Sequence, residues 1–276
     1  MLKYIFKRIV IMIPTLLVTS LFIFWAMDLA GGDPVDQILP ENATIEQREL
    51  LREQMGFNDP FFVRYFRYIG GIVTGDMGKS YISGQDVFKT FMGRLNMTLI
   101  LGGTSVIFAC IISIPLGIYT ALHQNTWKDT TATVVALFGV SMPNFWLGLM
   151  LILLFSLKLG WLPSGGTGGI KYLILPAATV GLSLAALLTR TTRSAMLDVI
   201  RQDYMTTAKA KGASHKRVIY KHGLKNAMIP IVTAIGLQFS YVMTGSALAE
   251  TVFGWPGIGR LVVDSINKRD TPMVTG

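Results

Sequence analysis

The sequence predicts an all-α, polytopic membrane protein, and two properties of the chain support this prediction. Hydrophobic residues make up 51% of the 276 residues and charged residues only 15%, which is more apolar than a soluble globular chain. Five long runs contain no Asp, Glu, Lys or Arg, and each is close to the roughly 20 residues that a helix needs to cross a bilayer. Five such runs in one chain argue against a soluble core. They cover residues 9–27, 97–122, 130–157, 172–189 and 226–249.

The basic residues predict how these spans are oriented. Lys3, Lys7 and Arg8 precede the first span without a neighbouring acid, which by the positive-inside rule places the N-terminus in the cytoplasm. A cleaved signal peptide is the alternative, but the apolar run is longer than the roughly 7 to 15 residues usual there. The main surplus of basic residues falls in 190–225, expected inside, whereas 28–96 is expected outside. The net charge of +9 is therefore a topology signal, not a nucleic-acid patch.

This topology divides the chain into three regions. Residues 1–30 form the N-terminal span, residues 31–93 an extracellular segment with short helices, and residues 94–276 the transmembrane core. The core contains a cytoplasmic loop at residues 190–229. Because five crossings from an inside N-terminus leave Gly276 outside, we expect a sixth span to follow in a longer chain.

Two features predict local structure within these regions. The aromatic stretch Phe61–Tyr68 predicts a helix at headgroup depth, because Tyr and Phe combined with Arg suit the membrane interface. Docking of an external receptor is the alternative for the same stretch. Pro115 and Pro143 lie deep enough in their spans to kink or break a helix.

Patterns for other chemistries are incomplete in this chain. The segment Gly75–Ser80 ends like a phosphate-binding P-loop, but Val73 stands where the first glycine is required. No span carries a central ionisable residue of the kind that marks a proton or sodium relay, since Asp28 and Glu250 stand at span ends. The histidines lie in loops, without cysteines or carboxylates at the spacing of metal ligands; they are His123, His215 and His222.

The most informative pattern lies in the cytoplasmic loop. Asp203 is a suitable N-cap, helix-forming residues follow as far as Lys211, and Gly212 can adopt the left-handed conformation that ends a helix. Ser214 can cap a second helix. Small side chains give the first helix a narrow profile that fits closely against a groove in a partner; they are Thr206, Thr207, Ala208 and Ala210.

The run Ala208–Gly212, followed by Leu224–Ala227 and Pro230, resembles the coupling-helix signature of ABC importer permeases in its oligopeptide, dipeptide and nickel variant. Thr206 and Thr207 stand where Glu and Ala are common, and the stretch from Gly212 to Pro230 is longer than usual. Both departures resemble the peptide-type branch. Further similarities to the first, B-type permease subunit extend along the chain: Gly32–Pro34, Leu51–Arg52, Met55–Gly56, Gly75–Gly78, Ser80, Arg94, Thr98, Ser141–Pro143, Leu162–Gly165, Glu250–Phe253 and Pro256–Gly257.

The resemblance implies a type I ABC importer transmembrane fold and one half of a heterodimeric channel. The implied partners are a sister permease subunit, two cytoplasmic ABC ATPase subunits that hold ATP and Mg, and an extracytoplasmic solute-binding protein. This chain itself is then expected to catalyse nothing and to bind no cofactor or metal. The implied location is the cytoplasmic membrane of a bacterium or archaeon, with lipid around the chain and no nucleic acid as a partner.

The resemblance also implies two groups of functional residues. The ATPase-coupling group comprises Asp203, Tyr204, Thr206, Thr207, Ala208, Ala210, Lys211 and Gly212. A possible outer gate follows the last span, with a plain extracellular turn as the alternative; its residues are Glu250, Phe253, Pro256 and Gly257.

The implied cargo is a di- or oligopeptide, and nickel, a metallophore or glutathione are the alternatives within the same machinery. A secondary transporter or channel and a membrane-embedded enzyme are the alternatives of other classes. The absence of intramembrane charge argues against a proton-coupled carrier, and the absence of converging His, Asp or Cys argues against an enzyme.

Overall fold

The computed structural model describes residues 2–29, 35–40 and 42–276, so the motif Gly32–Pro34 lies outside the described residues. Within these ranges the chain is predominantly helical and contains no β-strand. An isolated antiparallel bridge joins Lys79 to Asp86. The predicted all-α class is confirmed. The chain forms two compact units: Met1–Arg94 with Leu261–Gly276, and Leu95–Arg260.

The first unit begins with α1 (Leu2–Leu29), a helix that is apolar and long enough to cross a membrane. Three shorter helices follow it: α2 (Val35–Ile38), α3 (Ile45–Gln54) and α4 (Phe61–Thr74). Thr44 and Gln47 form a capping box at the start of α3, and Gly75 ends α4 in the left-handed conformation at φ +82°. The predicted helix over the aromatic stretch is confirmed.

The helix α4 packs against α1 largely through aromatic side chains that surround Phe24. Tyr65 is buried, and its ring lies 5.8 Å from that of Phe24 in an edge-to-face arrangement. The Tyr65 hydroxyl donates to the backbone oxygen of Leu17 at 2.9 Å. Burial on this face therefore leaves the opposite face of α4 exposed, including Phe62 and Phe66.

The C-terminal segment of the first unit is held to the residues before α5 (Val87–Leu122). The buried carboxylate of Asp270 accepts hydrogen bonds from the Ser80 hydroxyl and, at 3.0 Å, from the Tyr81 backbone N–H. The short helix α13 (Thr271–Thr275) follows directly, and its last carbonyl accepts from the Tyr68 hydroxyl. Gly75–Ser80, which resembles part of a P-loop, is thus part of this packing.

The long helices of the second unit account for the other predicted spans. They are α5 (Val87–Leu122), α6 (Trp127–Ser141), α7 (Asn144–Leu151) with a π-helical continuation (Ile152–Lys158), α8 (Ile170–Ile200) and α10 (Lys225–Gly245), which a π-helical segment (Arg217–Leu224) precedes. The connecting helices are α9 (Asp203–Ala210), α11 (Ala247–Val252) and α12 (Ile258–Asn267). Four helices in the described part are long and apolar enough to span a membrane, and the bent pair described next makes five.

The bent pair is formed by Trp127–Gly139 and Asn144–Lys158, whose axes differ by 97°. Pro143 causes the break, because proline has no N–H and disfavours helical geometry at the residue before it. Met142 accordingly has an extended conformation, at φ −80° and ψ 126°. Pro115, by contrast, lies inside the continuous helix α5. The expected effect of proline is therefore confirmed as a break at Pro143 alone.

The core of the second unit is centred on α8, which packs against α6, α7, α10 and α11. Two apolar clusters lie along it. One surrounds Leu184 and Leu188 near the middle of the helix, and the other surrounds Ala195 and Met196 near its C-terminal end. The second cluster is the one that positions residues 190–229.

Candidate functional site

The predicted coupling helix is present as α9, but its N-cap differs from the sequence expectation. Gln202 has the extended cap conformation, at φ −79° and ψ 146°, so the N-cap assignment of Asp203 is wrong. Asp203 is instead the first helical residue. Its carboxylate still lies in the first turn, where a negative charge interacts favourably with the helix dipole.

The turn after α9 follows the predicted chemistry. Gly212 adopts φ +77°, and its backbone N–H donates to the oxygen of Lys209 at 2.9 Å. A Cβ built on Gly212 meets no heavy atom within 4 Å, so the position is restricted by backbone conformation alone. The Ser214 hydroxyl then accepts from the N–H of Arg217 at 3.4 Å, which agrees with its expected role as a cap.

Two contacts anchor α9 to the rest of the unit. Met205 is 1% exposed and belongs to the apolar cluster that includes Met196, Val218 and Ile231. The hydroxyl of Tyr204 accepts from the amide of Asn226 at 2.9 Å. The helix is therefore held on one side by α8 and on the other by the start of α10.

Away from these two contacts, α9 is largely exposed in the part of the chain that the structure describes. Ala208 is half-buried, and the remaining coupling residues are exposed: Asp203, Tyr204, Thr206, Thr207, Ala210, Lys211 and Gly212. A rigidly anchored helix thus presents mostly small side chains to its surroundings. This geometry can transmit a displacement of a docked partner to α8 and α10.

The candidate outer gate is built around a carboxylate that is fully buried. Glu250 is 0% exposed, and its Oε1 accepts from the hydroxyls of Thr98 at 2.9 Å and Ser246 at 3.1 Å. Its Oε2 accepts from the backbone N–H of Arg260 at 3.0 Å. Thr98 extends this network because its hydroxyl also accepts from the N–H of Ile258 at 2.8 Å.

The other gate residues pack around this network. A Cβ on Gly257 would lie 2.3 Å from the Glu250 carboxyl carbon, so only glycine fits there. The buried ring of Phe253 lies against Gly148 of α7, and its backbone oxygen accepts from Gly166 at 2.8 Å. Pro256 is half-buried next to Trp255. The segment is held by buried side chains and by hydrogen bonds to Thr98 and Gly166.

Two family models match the chain, and together they cover nearly all of it. The model described as "Binding-prot-dependent transport system membrane comp, N-term" matches residues 1–102. The model described as "Binding-protein-dependent transport system inner membrane component" matches residues 113–276, more than half of the chain. The chain belongs to this family of binding-protein-dependent transport system inner membrane components. It is therefore a multi-pass inner membrane protein.

The similar proteins agree with this membership. The "Glutathione transport system permease protein GsiC" of Escherichia coli O6:H1, of Escherichia coli K12 and of Shigella dysenteriae serotype 1 is in each case 42% identical over 274 residues, covering 99% of this chain and 90% of the relative. A solved structure, "Inward facing conformations of the MetNI methionine ABC transporter", has a TM-score of 0.57 at 18% identity and covers 68% of this chain and 88% of that chain. This family member has the ABC importer transmembrane fold and is the membrane subunit of such an importer.

The ion pair between Arg193 and Asp129 was not predicted from the sequence. Arg193 of α8 donates from Nε and Nη2 to the two oxygens of Asp129, at 2.7 and 2.6 Å. Asp129 is 5% exposed and also accepts from the N–H of Asn125 at 3.1 Å. The contact ties the loop between α5 and α6 to α8. A signal was available, because Asp129 is the only acid between Asp86 and Asp198.

A second feature not expected from the sequence is a cavity of about 470 Å³ at the break between α6 and α7. Its polar groups are uncharged and come from three spans: Asn144, Ser183, Gln238 and Tyr241. The Ser183 hydroxyl donates to the side-chain oxygen of Asn144. Met142 and Pro143 of the motif Ser141–Pro143 therefore contribute to the wall of this cavity, together with Leu184 and Leu187.

Proposed function

We propose that this importer subunit translocates di- or oligopeptides by alternating access, as one half of a heterodimeric channel with a sister permease subunit. The observation that carries the proposal is the exposed face of α9. The helix is anchored by the buried side chain of Met205 and by the hydrogen bond from Asn226. A helix built in this way has no packing role on its outer side, which suits docking into a groove of a partner. The coupling residues assigned above are the proposed contact.

The proposed partners of α9 are two cytoplasmic ATPase subunits. They bind ATP and Mg, and this chain contributes no catalytic group. Closure of the ATPases moves α9, and α9 moves α8 and α10 as a rigid body, which switches access between the two sides of the membrane. The Asp129–Arg193 pair supports this scheme because it joins the loop between α5 and α6 to α8.

The proposed orientation puts the N-terminus and α9 in the cytoplasm of a bacterium or archaeon. It is supported by the basic residues of the loop, of which Arg190, Lys209, Lys216 and Lys221 are exposed. The three-region division at residues 30 and 93 belongs to this proposal. Residues 250–257 then lie outside and act as a gate beneath a docked solute-binding protein.

The proposed cargo follows from the cavity and from the relatives. Asn144, Gln238 and Tyr241 offer amide and hydroxyl groups that match the backbone amides of a peptide, and none of the described residues that line the cavity is charged. Glutathione, itself a tripeptide, is the second candidate, because the relatives with 42% identity carry that name. Uptake of a labelled dipeptide, a labelled tetrapeptide and labelled glutathione by the same cells, each competed with the other two, separates these cargos.

The coupling proposal is tested by Gly212→Asp. A residue with a side chain is strained at φ +77° by about 1–2 kcal/mol, and its carboxylate projects from the docking surface. We expect insertion to be normal and recovery of the ATPases in a pull-down to fall at least tenfold. Gly84→Asp is the matched control, because Gly84 also has a positive φ of +67° with nothing within 4 Å of a Cβ. Unchanged ATPase recovery for Gly212→Asp rejects the proposal.

A further inference from the structure

A cavity of about 410 Å³ lies entirely within the first unit. Its volume falls in the roughly 300–1,000 Å³ range of small-molecule sites. Phe24, Met27 and Asp28 line it from the last turns of α1, and Arg64, Arg67 and Tyr68 line it from α4. Residues 76–81 and 269–275 contribute the remaining walls. The proposed coupling and gate functions use none of these residues.

The lining of this cavity carries an excess of positive charge. Among the described residues of the lining, four cations face two acids, Asp28 and Asp76, which gives a formal charge of 4 − 2 = +2; the cations are Arg64, Arg67, Lys79 and Arg269. Neither Lys79 nor Arg269 has an ion-pair partner in the part of the chain that the structure describes.

The other charges of the lining are only partly neutralised. Arg64 donates to Asp28 at 2.6 Å, but its Nε is buried and has no hydrogen-bond acceptor among the described residues. Arg67 donates to Asp59 at 2.6 Å and remains well exposed. The described residues therefore leave the hydrogen-bonding capacity of the Arg64 guanidinium partly unused.

Two phenols complete the lining and are compatible with an anion. Burial raises the pKa of Tyr68, although its hydrogen bond to Thr275 acts in the opposite direction. Burial and the neighbouring Asp270 raise the pKa of Tyr81 above its ordinary value. Both side chains are therefore neutral at physiological pH. Their rings, together with Phe24 and Phe57, provide an apolar wall.

The position of the cavity indicates where its ligand comes from. The wall from α1 is the end of an apolar span whose side chains are largely exposed, among them Trp25 at 48%. The helix α4 exposes Phe62 and Phe66 at 62% and 67%, beside the two arginines that line the cavity. Exposed aromatic residues next to basic residues at the end of a span are typical of headgroup depth.

We propose that this cavity is a phosphate-binding site that holds the headgroup of an anionic phospholipid. Arg64, Lys79 and Arg269 contact the phosphate, and the aromatic wall contacts the glycerol and the first methylene groups. The same phosphate chemistry admits one other source, free inorganic phosphate. The site lies at the end of α1, where either leaflet supplies a headgroup, so the proposal holds for either orientation of the chain.

The test uses the assembled transporter in nanodiscs of phosphatidylcholine with a minor fraction of phosphatidylglycerol. Native mass spectrometry after detergent release counts the lipids that stay bound. The variant Lys79→Gln with Arg269→Gln removes the two unpaired cations. The control Lys89→Gln with Lys268→Gln removes the same charge from exposed positions of the same unit that do not line the cavity.

We expect wild type and control to retain phosphatidylglycerol in preference to phosphatidylcholine. The cavity variant should lose about 25-fold in this preference, because each cation near an anionic lipid contributes roughly fivefold. A second arm titrates inorganic phosphate and follows it by phosphorus NMR. If wild type and control bind phosphate, the cavity variant does not, and none of the three prefers phosphatidylglycerol, then the ligand is free inorganic phosphate. Equal lipid retention in all three proteins, with no phosphate binding, overturns the proposal.

Discussion

Replacing Gly257 by alanine tests whether the buried Glu250 network holds the segment after the last span. The new Cβ would lie 2.3 Å from the carboxyl carbon and 2.3–2.4 Å from both oxygens, whereas ordinary contacts begin at 3.4 Å. The carboxylate must therefore move by about 1 Å, which is the difference between these distances. Its three hydrogen bonds of 2.9–3.1 Å do not all survive such a shift.

The expected loss of stability is the sum of an overpacking contribution and a hydrogen-bond contribution. Overpacking costs about 1–3 kcal/mol, and a lost hydrogen bond to a carboxylate adds about 1.5–3 kcal/mol. We expect the free energy of unfolding to fall by about 3 kcal/mol or more, measured on the purified assembly by denaturant titration with tryptophan fluorescence. Gly236→Ala is the control, because a Cβ there meets nothing within 4 Å. Its effect should stay within about 1 kcal/mol. If both variants unfold at the same denaturant concentration, the packing argument is refuted.

Two further predictions concern α9 and the contact between Asp129 and Arg193. Asp129→Ala leaves Arg193 without its partner and should lower the free energy of unfolding by about 3 kcal/mol, at the low end for a buried pair because the Arg193 side chain is 27% exposed. The control Asp198→Ala removes an exposed acid from α8, the helix of Arg193, and should change the free energy of unfolding by less than about 0.5 kcal/mol in the same titration. Equal losses for the two variants would contradict the role of the ion pair. Met205→Ala empties a site that is 1% exposed and should cost about 2–5 kcal/mol of local packing, which reduces the ATPases recovered with the subunit. Met205→Leu nearly conserves the side-chain volume and should recover the ATPases as well as the wild type does. If Met205→Leu recovers them as poorly as Met205→Ala, the anchoring role of Met205 is disproved.

The sequence predicted features that depend on local chemistry. Apolar runs of span length fixed the helices because the bilayer core demands internally satisfied backbone groups. Gly212 and Pro143 were predicted correctly because positive φ and a missing N–H act within one or two residues. The N-cap was misassigned by one position, because Asp is favourable both as an N-cap and in the first turn, where the structure has it.

The sequence by itself determined the membrane class, the helical segments and the candidate coupling loop, because each depends on composition or on neighbours along the chain. Tertiary structure alone decided the contacts between distant residues. Thr98 meets Glu250 across 152 positions, and Asp129 meets Arg193 across 64. Such pairs form where helices pack against one another, and a single sequence carries no distance information between helices. The cavity at the end of α1 depends likewise on residues from both ends of the first unit.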